Sequence, residues 1–148
     1  MRTKLACGLA IVAVCGIPAL ATTVWDYGWE DGGTVLGQFP LPPDPNALSY
    51  SNSTEQAHSD AASLKLIRGA GTATPQAYVA WVRGLQAGDT VTGSFWVYDT
   101  TPSGNPSGRI WGHYNDSPTD PLGFNGSASG NSTYSGTYAW TQLSYTWT

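Results

Sequence analysis

Residues 76–99 read QAYVAWVRGLQAGDTVTGSFWVYD, two runs rich in β-branched and aromatic side chains on either side of a Gly-Asp turn. The second run, Thr90 to Asp99, decides the fold class. Val91, Gly93, Phe95 and Val97 fall on one parity, and Thr92, Ser94, Trp96 and Tyr98 on the other. Alternation with period two is the pattern of a strand that buries one face. The first run, Gln76 to Leu85, is the clearest strand by composition. It carries apolar residues on both parities, as expected where one face is buried and the other partly covered. Gln86-Ala87-Gly88-Asp89 is then the turn of a hairpin, because Gly88 accepts the positive φ that such a turn needs.

The same reading extends outward from this hairpin. Arg109 to Asn115 (RIWGHYN) follows the turn Ser103 to Gly108, with Ile110, Gly112 and Tyr114 opposed to Arg109, Trp111 and His113. Further strands are expected at Gly33 to Gln38, Ser63 to Ile67 and Ala139 to Thr148 (AWTQLSYTWT). The opening stretch TVWDYGWEDGG, residues 23–33, reads as a strand with Trp29 in the core. Pro40 to Pro45 (PLPPDP) is a surface connection, since proline cannot donate to a sheet ladder. The one helix-like start, Ser53 to Ala57, is followed by His58-Ser59-Asp60 and not by an apolar stripe. Many short strands separated by turn residues predict an all-β chain, an antiparallel β-sandwich of jelly-roll type. The alternation is still running at Thr148, so the domain, residues 22–148, is expected to be C-terminally incomplete and to lack its final strand.

The first 21 residues combine Arg2 and Lys4, an apolar run from Leu5 to Ile17 and small residues before a cleavage point after Ala21, the organisation of a secretory signal peptide. The apolar run is too short for a membrane span, which takes about 20 residues. The expectation is therefore a secreted protein, extracellular or periplasmic, with no membrane contact once the signal is removed. Of 148 residues, 127 remain, enough for one domain with its own core. Cys7 and Cys15 leave with the signal, so no disulfide or thiolate metal ligand remains. Arg2 and Lys4 leave too, which takes the basic side chains from six to four against ten acidic ones and the net charge from −4 to −6. An acidic chain without a basic run repels phosphate backbones, which argues against nucleic acid and for a neutral polar ligand. All seven Trp, eight Tyr and three Phe lie beyond residue 21, more than a core of this size takes up, so some are expected on the surface.

The order GWEDGG, AHSDAASLKL, VRGLQAGDTVTGSFWVYD and GTYAWTQLSYTWT resembles the jelly-roll carbohydrate-binding modules, galactose-binding-domain-like, of secreted polysaccharide-degrading enzymes. The resemblance covers nearly the whole mature chain. It implies a non-catalytic accessory domain that binds a polysaccharide or oligosaccharide through surface aromatics, linked to a catalytic domain, with a structural calcium beside the first strand. The family's acidic position falls on Glu30, with Trp29 in the aromatic place before it. Glu30 and Asp31 are thus the candidate metal ligands, with carbonyls of the turn Ala57 to Asp60.

Sugars bind aromatic side chains because the apolar face of a pyranose stacks on the ring while polar groups nearby read the hydroxyls. Trp96 and Tyr98 on one strand, with Arg109, Trp111 and His113 on the next, offer that mixture and are expected to form one platform. The competing reading keeps them outward but covered by a loop as ordinary packing. Two histidines, His58 and His113, are too few for zinc without cysteine. Glycoside hydrolysis needs two carboxylates across one bond, whereas Asp44, Asp60, Asp89, Asp116 and Asp120 sit among turn residues, where aspartate ordinarily bonds its own backbone. Gly-x-Ser-x-Gly does not occur either. The Asn-x-Ser/Thr triplets at Asn52, Asn115, Asn125 and Asn131 are expected by chance in a chain so rich in these residues. A structural or adhesive β-sandwich domain of an exported or envelope protein is the alternative.

Overall fold

A computed structural model describes residues 26–101 and 108–148. The expected signal peptide, Trp25 and most of the turn after Ser103 lie outside the described residues. Among the described residues the chain is all-β, without a helix. Eight strands follow in order: β1 (Gly37–Phe39), β2 (Ser49–Ser53), β3 (Ser63–Ile67), β4 (Gln76–Tyr78), β5 (Val91–Tyr98), β6 (Trp111–Tyr114), β7 (Gly126–Gly130) and β8 (Trp140–Trp147). They pair as four antiparallel two-stranded ribbons, β1 with β4, β2 with β3, β5 with β8 and β6 with β7.

The longest ladder joins β5 to β8 from Val91↔Trp147 to Tyr98↔Trp140. Directly opposite residues share a face, so Phe95 and Gly93 lie beside Leu143 and Tyr145 on the inner side. Thr92, Ser94 and Trp96 lie outward and exposed, as their parity predicts. Thr92 and Thr146 join hydroxyls across the outer face at 2.9 Å. Leu143 is only 1% exposed and Ile110, just before β6, 8%. Ile110 reaches over Gly93, and the Trp147 indole lies across Gly112, where a Cβ would meet its Nε1 at 2.6 Å. Trp147 Nε1 donates to the Ser129 carbonyl at 3.0 Å and Asn131 Nδ2 to the Ser144 carbonyl at 3.2 Å, which fastens β7 to β8. The core therefore sits where the inner face of β5–β8 meets Ile110 and Gly112.

Three expectations are corrected. The hairpin from Gln76 to Asp99 does not form: β4 pairs with β1 and β5 with β8. Its turn is present, with Gly88 at φ +94° and the Asp89 amide donating to the Gln86 carbonyl at 3.0 Å. The strand expected to reach Leu85 stops at Tyr78 because its partner stops. The Gly33 and Thr34 carbonyls, which a longer ladder would need, accept from Asn52 Nδ2 and Trp29 Nε1 at 3.4 and 3.3 Å. Beyond Tyr78, Val79, Val82 and Leu85 are exposed, and Arg83 lies over the Trp81 ring at 5.1 Å. The third correction concerns 26–33, a turn and not a strand. The Gly32 amide donates to the Trp29 carbonyl at 3.2 Å, and Trp29 is half-buried at φ +61°, a strained value for an aromatic residue.

Two strands had no sequence signal. In β7, GSASG, the glycines stand opposite the large rings of β6, Trp111↔Gly130 and Tyr114↔Gly126; a side chain at Gly126 would collide with the Tyr114 ring, and one at Gly130 with the Ile110 carbonyl and the Trp111 backbone. Small residues there make room for aromatic ones, and the ring covers the glycine. β2, SYSNS, is held by β3 over five pairs and by Asn52 Nδ2, which donates to the Trp29 carbonyl at 2.6 Å.

Candidate functional site

The five residues expected to form one platform are distributed over three aromatic groups, and no ring contact among the described residues joins those groups. Trp96 projects from the outer face of β5 opposite Gln142 and is 45% exposed. His58, in the loop between β2 and β3, stacks on its ring with centroids 4.1 Å apart and planes 15° from parallel. The same imidazole meets Trp140 edge-on at 5.2 Å, and Trp140 in turn leans on Tyr98 at 5.3 Å. One face of the Trp96 indole is thus taken by a loop residue, as in the covered alternative, while much of the side chain stays open to solvent.

Arg109 and Trp111 form the second group. Since Ile110 turns toward β5–β8, the residues on either side of it, Arg109 and Trp111, turn away. The Arg109 guanidinium lies over the Trp111 ring at 4.5 Å and over the Tyr134 ring at 5.7 Å. Such contacts are worth about 0.5–1 kcal/mol at exposed sites. Trp111 is 40% exposed, and its Nε1 donates to Ser127 Oγ at 2.7 Å, so the indole is fixed by β7.

His113 belongs to the third group. It sits half-buried between Tyr78 and Phe124, with centroids at 6.0 and 4.9 Å. Burial pushes its pKa down, and burial likewise pushes the Tyr78 phenol up. The register shift between Gly112 and His113 separates it from Trp111. The imidazole is thus packed between two rings.

At the candidate metal pair, both carboxylates are engaged by hydrogen-bond donors. Glu30 Oε1 accepts from the Ala61 and Ala62 amides at 3.1 and 2.8 Å. That ties the opening segment to the loop before β3, the link expected of a calcium ion. Asp31 Oδ1 accepts from the Tyr27 hydroxyl at 2.6 Å and the Gly33 amide at 2.9 Å. The Tyr27 bond and then the Gly33 amide hold the Asp31 carboxyl below its usual range, and the same bond raises Tyr27. Among the described residues no three His, Cys, Asp or Glu side chains come together as a metal group. Glu30 Oε1 and Asp31 Oδ1 thus face N–H and O–H donors, while Oε2 and Oδ2 take no part in these hydrogen bonds.

The remaining acids behave largely as turn residues. Asp44, Asp89 and Asp120 accept from the nearby Asn46, Gln86 and Leu122 amides, whereas Asp116 accepts from the Asn125 side chain. Asp99, buried at the end of β5, accepts from the Thr101 amide and hydroxyl. Tyr134 and Ser127 lie in Gly- and Ser-rich sequence that reads as loop, and no pattern there marks them as neighbours of Arg109 and Trp111. Trp140 stands at the head of a legible strand, but its meeting with His58 depends on a loop over 80 residues earlier in the chain.

A shallow cavity of about 330 Å³ lies beside the end of β8, lined by Tyr114, Ala128, Tyr145, Thr146, Trp147 and Thr148. Comparison with family models, with curated proteins and with solved structures finds no match.

Proposed function

We propose that this chain is an exported, non-catalytic glycan-binding domain built as a jelly-roll sandwich and serving as an accessory to a polysaccharide-degrading enzyme. The observation that carries the reading is the pair of exposed tryptophans, Trp96 and Trp111, each held in a fixed pose by neighbours. A pre-positioned indole offers a flat apolar face without an ordering cost at binding, and hydroxyl-bearing neighbours such as Ser127 supply polar partners. Tyr98 supports Trp96 through Trp140 and His58, and Arg109 flanks Trp111. His113 serves the scaffold in this reading.

The test is retention of the full chain on insoluble polysaccharides and its mobility in gels containing soluble ones. Trp96→Ala or Trp111→Ala is expected to abolish retention while the melting curve stays cooperative. Unchanged retention in both variants would refute the aromatic reading. Calcium belongs to the same proposal, with Glu30 Oε2 and Asp31 Oδ2 as the oxygens outside the hydrogen bonds described. It requires a melting temperature that rises with calcium and falls with chelator, and equal values would remove the ion.

A second reading is a structural or adhesive domain, which the exposed apolar side chains favour: Phe39, Leu41, Ile67 and Phe124 all stand more than half exposed. It requires a multimer in light scattering and no glycan bound.

A further inference from the structure

The ribbon that carries Arg109 differs in charge from the rest of the molecule. The chain has ten acidic residues, yet none falls between Thr100 and Asn115 and none after Asp120. Arg109, half-buried, therefore stands in a stretch of hydroxyl, amide, aromatic and glycine residues inside an otherwise acidic protein. Among the described residues the other three basic side chains are each occupied differently. Lys65 pairs with Glu55 at 2.7 Å, Arg68 donates to the Gly71 carbonyl at 2.9 Å, and Arg83 lies over one ring, Trp81, where Arg109 lies over two. Among the described residues the Arg109 guanidinium lies over the Trp111 and Tyr134 rings, and no carboxylate among them lies within ion-pair distance of it.

An arginine held by aromatic rings keeps its planar fork of N–H donors, because the rings take up its faces and not its edges. The indole beneath it is itself pinned by Ser127. Such a fork matches the two oxygens of a carboxylate or the oxygens of a sulfate. We infer that Arg109, lying over the Trp111 and Tyr134 rings at the entry to the β6–β7 ribbon, binds the anionic group of an acidic sugar. The ligand class is a glycan bearing carboxylate or sulfate. This rests on the glycan-binding reading above and replaces the neutral ligand expected from net charge with an anionic one, because the charge around Arg109 differs from that of the whole chain. The acidic surface elsewhere repels such a glycan and confines its contact to this ribbon.

The experiment measures affinity of the full chain for four probes by calorimetry or affinity electrophoresis: an oligogalacturonate, the same oligomer fully methyl-esterified, a chondroitin sulfate oligosaccharide and a cello-oligosaccharide. The expected result is binding to the free-acid or the sulfated probe at least about tenfold tighter than to the ester and the neutral oligomer, the difference that one charge-assisted contact provides. The preference weakens as salt is raised. Arg109→Gln is expected to remove it and Arg109→Lys to keep part of it, with tryptophan near-ultraviolet circular dichroism reporting that the fold is intact. Preference for the free acid over the sulfate, or the reverse, identifies which anion is taken. Equal affinity for acid, ester and neutral probes, or a preference that survives Arg109→Gln, overturns the inference. Binding of the neutral probe alone, lost in Trp96→Ala, overturns it while leaving the glycan-binding reading standing. No binding of any probe, or of the polysaccharides above, removes both.

Discussion

The ribbons β5–β8 and β2–β3 are both regular antiparallel ladders, yet their side chains meet opposite fates. In β5–β8 the inner residues pack against Ile110 and around Leu143, and exposure alternates along β5 as its sequence alternates. In β2–β3 the five pairs are in register, but the neighbouring residues Leu66 and Ile67, which point to opposite faces, are 44% and 53% exposed. A ladder can close through its backbone alone. Alternation becomes energetically meaningful where a second element covers one side, and here Ile110 and Gly112 do so for β5–β8.

That contrast can be broken most sharply at its centre. Leu143→Ala should destabilise the chain by about 2–5 kcal/mol, the range for an enclosed leucine. Leu66→Ala, half in water already, should cost under about 1 kcal/mol. Urea unfolding of the two variants measures both, and similar losses would mean that β2–β3 is covered in solution. Gly112→Ala comes next: the added methyl must displace the Trp147 indole, at an expected cost of about 1–3 kcal/mol, with loss of its bond to Ser129 seen as a change in indole fluorescence.

A smaller effect distinguishes the buried side from the exposed one by pH. Burial holds His113 below its ordinary range, so the folded chain takes up that proton less readily than the unfolded chain. Above about pH 6.5 both states leave the imidazole neutral and nothing is lost. As pH falls from there toward the folded pKa, stability declines. His113→Gln should flatten that part of the urea-midpoint profile. The smallest effect is expected on the exposed ribbon, where Lys65→Ala removes the pair with Glu55 for about 0–1 kcal/mol and less in high salt.

The all-β class was legible from Thr90 to Asp99 because the alternation there coincides with real one-sided burial. Ser63 to Ile67 and the closing strand were placed within a residue or two for the same compositional reason. The run Gln76 to Leu85 misled for the opposite reason. Its composition suits a strand, but strand length is set by a partner, and β1 offers three residues before its neighbouring carbonyls turn to Asn52 and Trp29. GSASG could not be recognised as β7 since its glycines matter only through the rings and backbone they face across the ladder. At the candidate site the exposure of Trp96 and Trp111 followed from parity. The separation of the expected platform did not, for it depends on β5 pairing with β8 and β6 with β7 instead of with each other.

By itself the sequence determined the class, the outward parity of Trp96, and an acidic, aromatic-rich chain whose later third carries no carboxylate after Asp120. These are local or additive properties, set by neighbouring residues and by charge. Only the tertiary structure decided which strands pair, that His58 covers Trp96, that Arg109 lies over Trp111 and Tyr134, and that Glu30 ties the opening turn to Ala61 and Ala62 through hydrogen bonds. Each of these joins residues distant in the chain or facing each other across a ladder, and no periodicity within one segment encodes which segment will lie beside it.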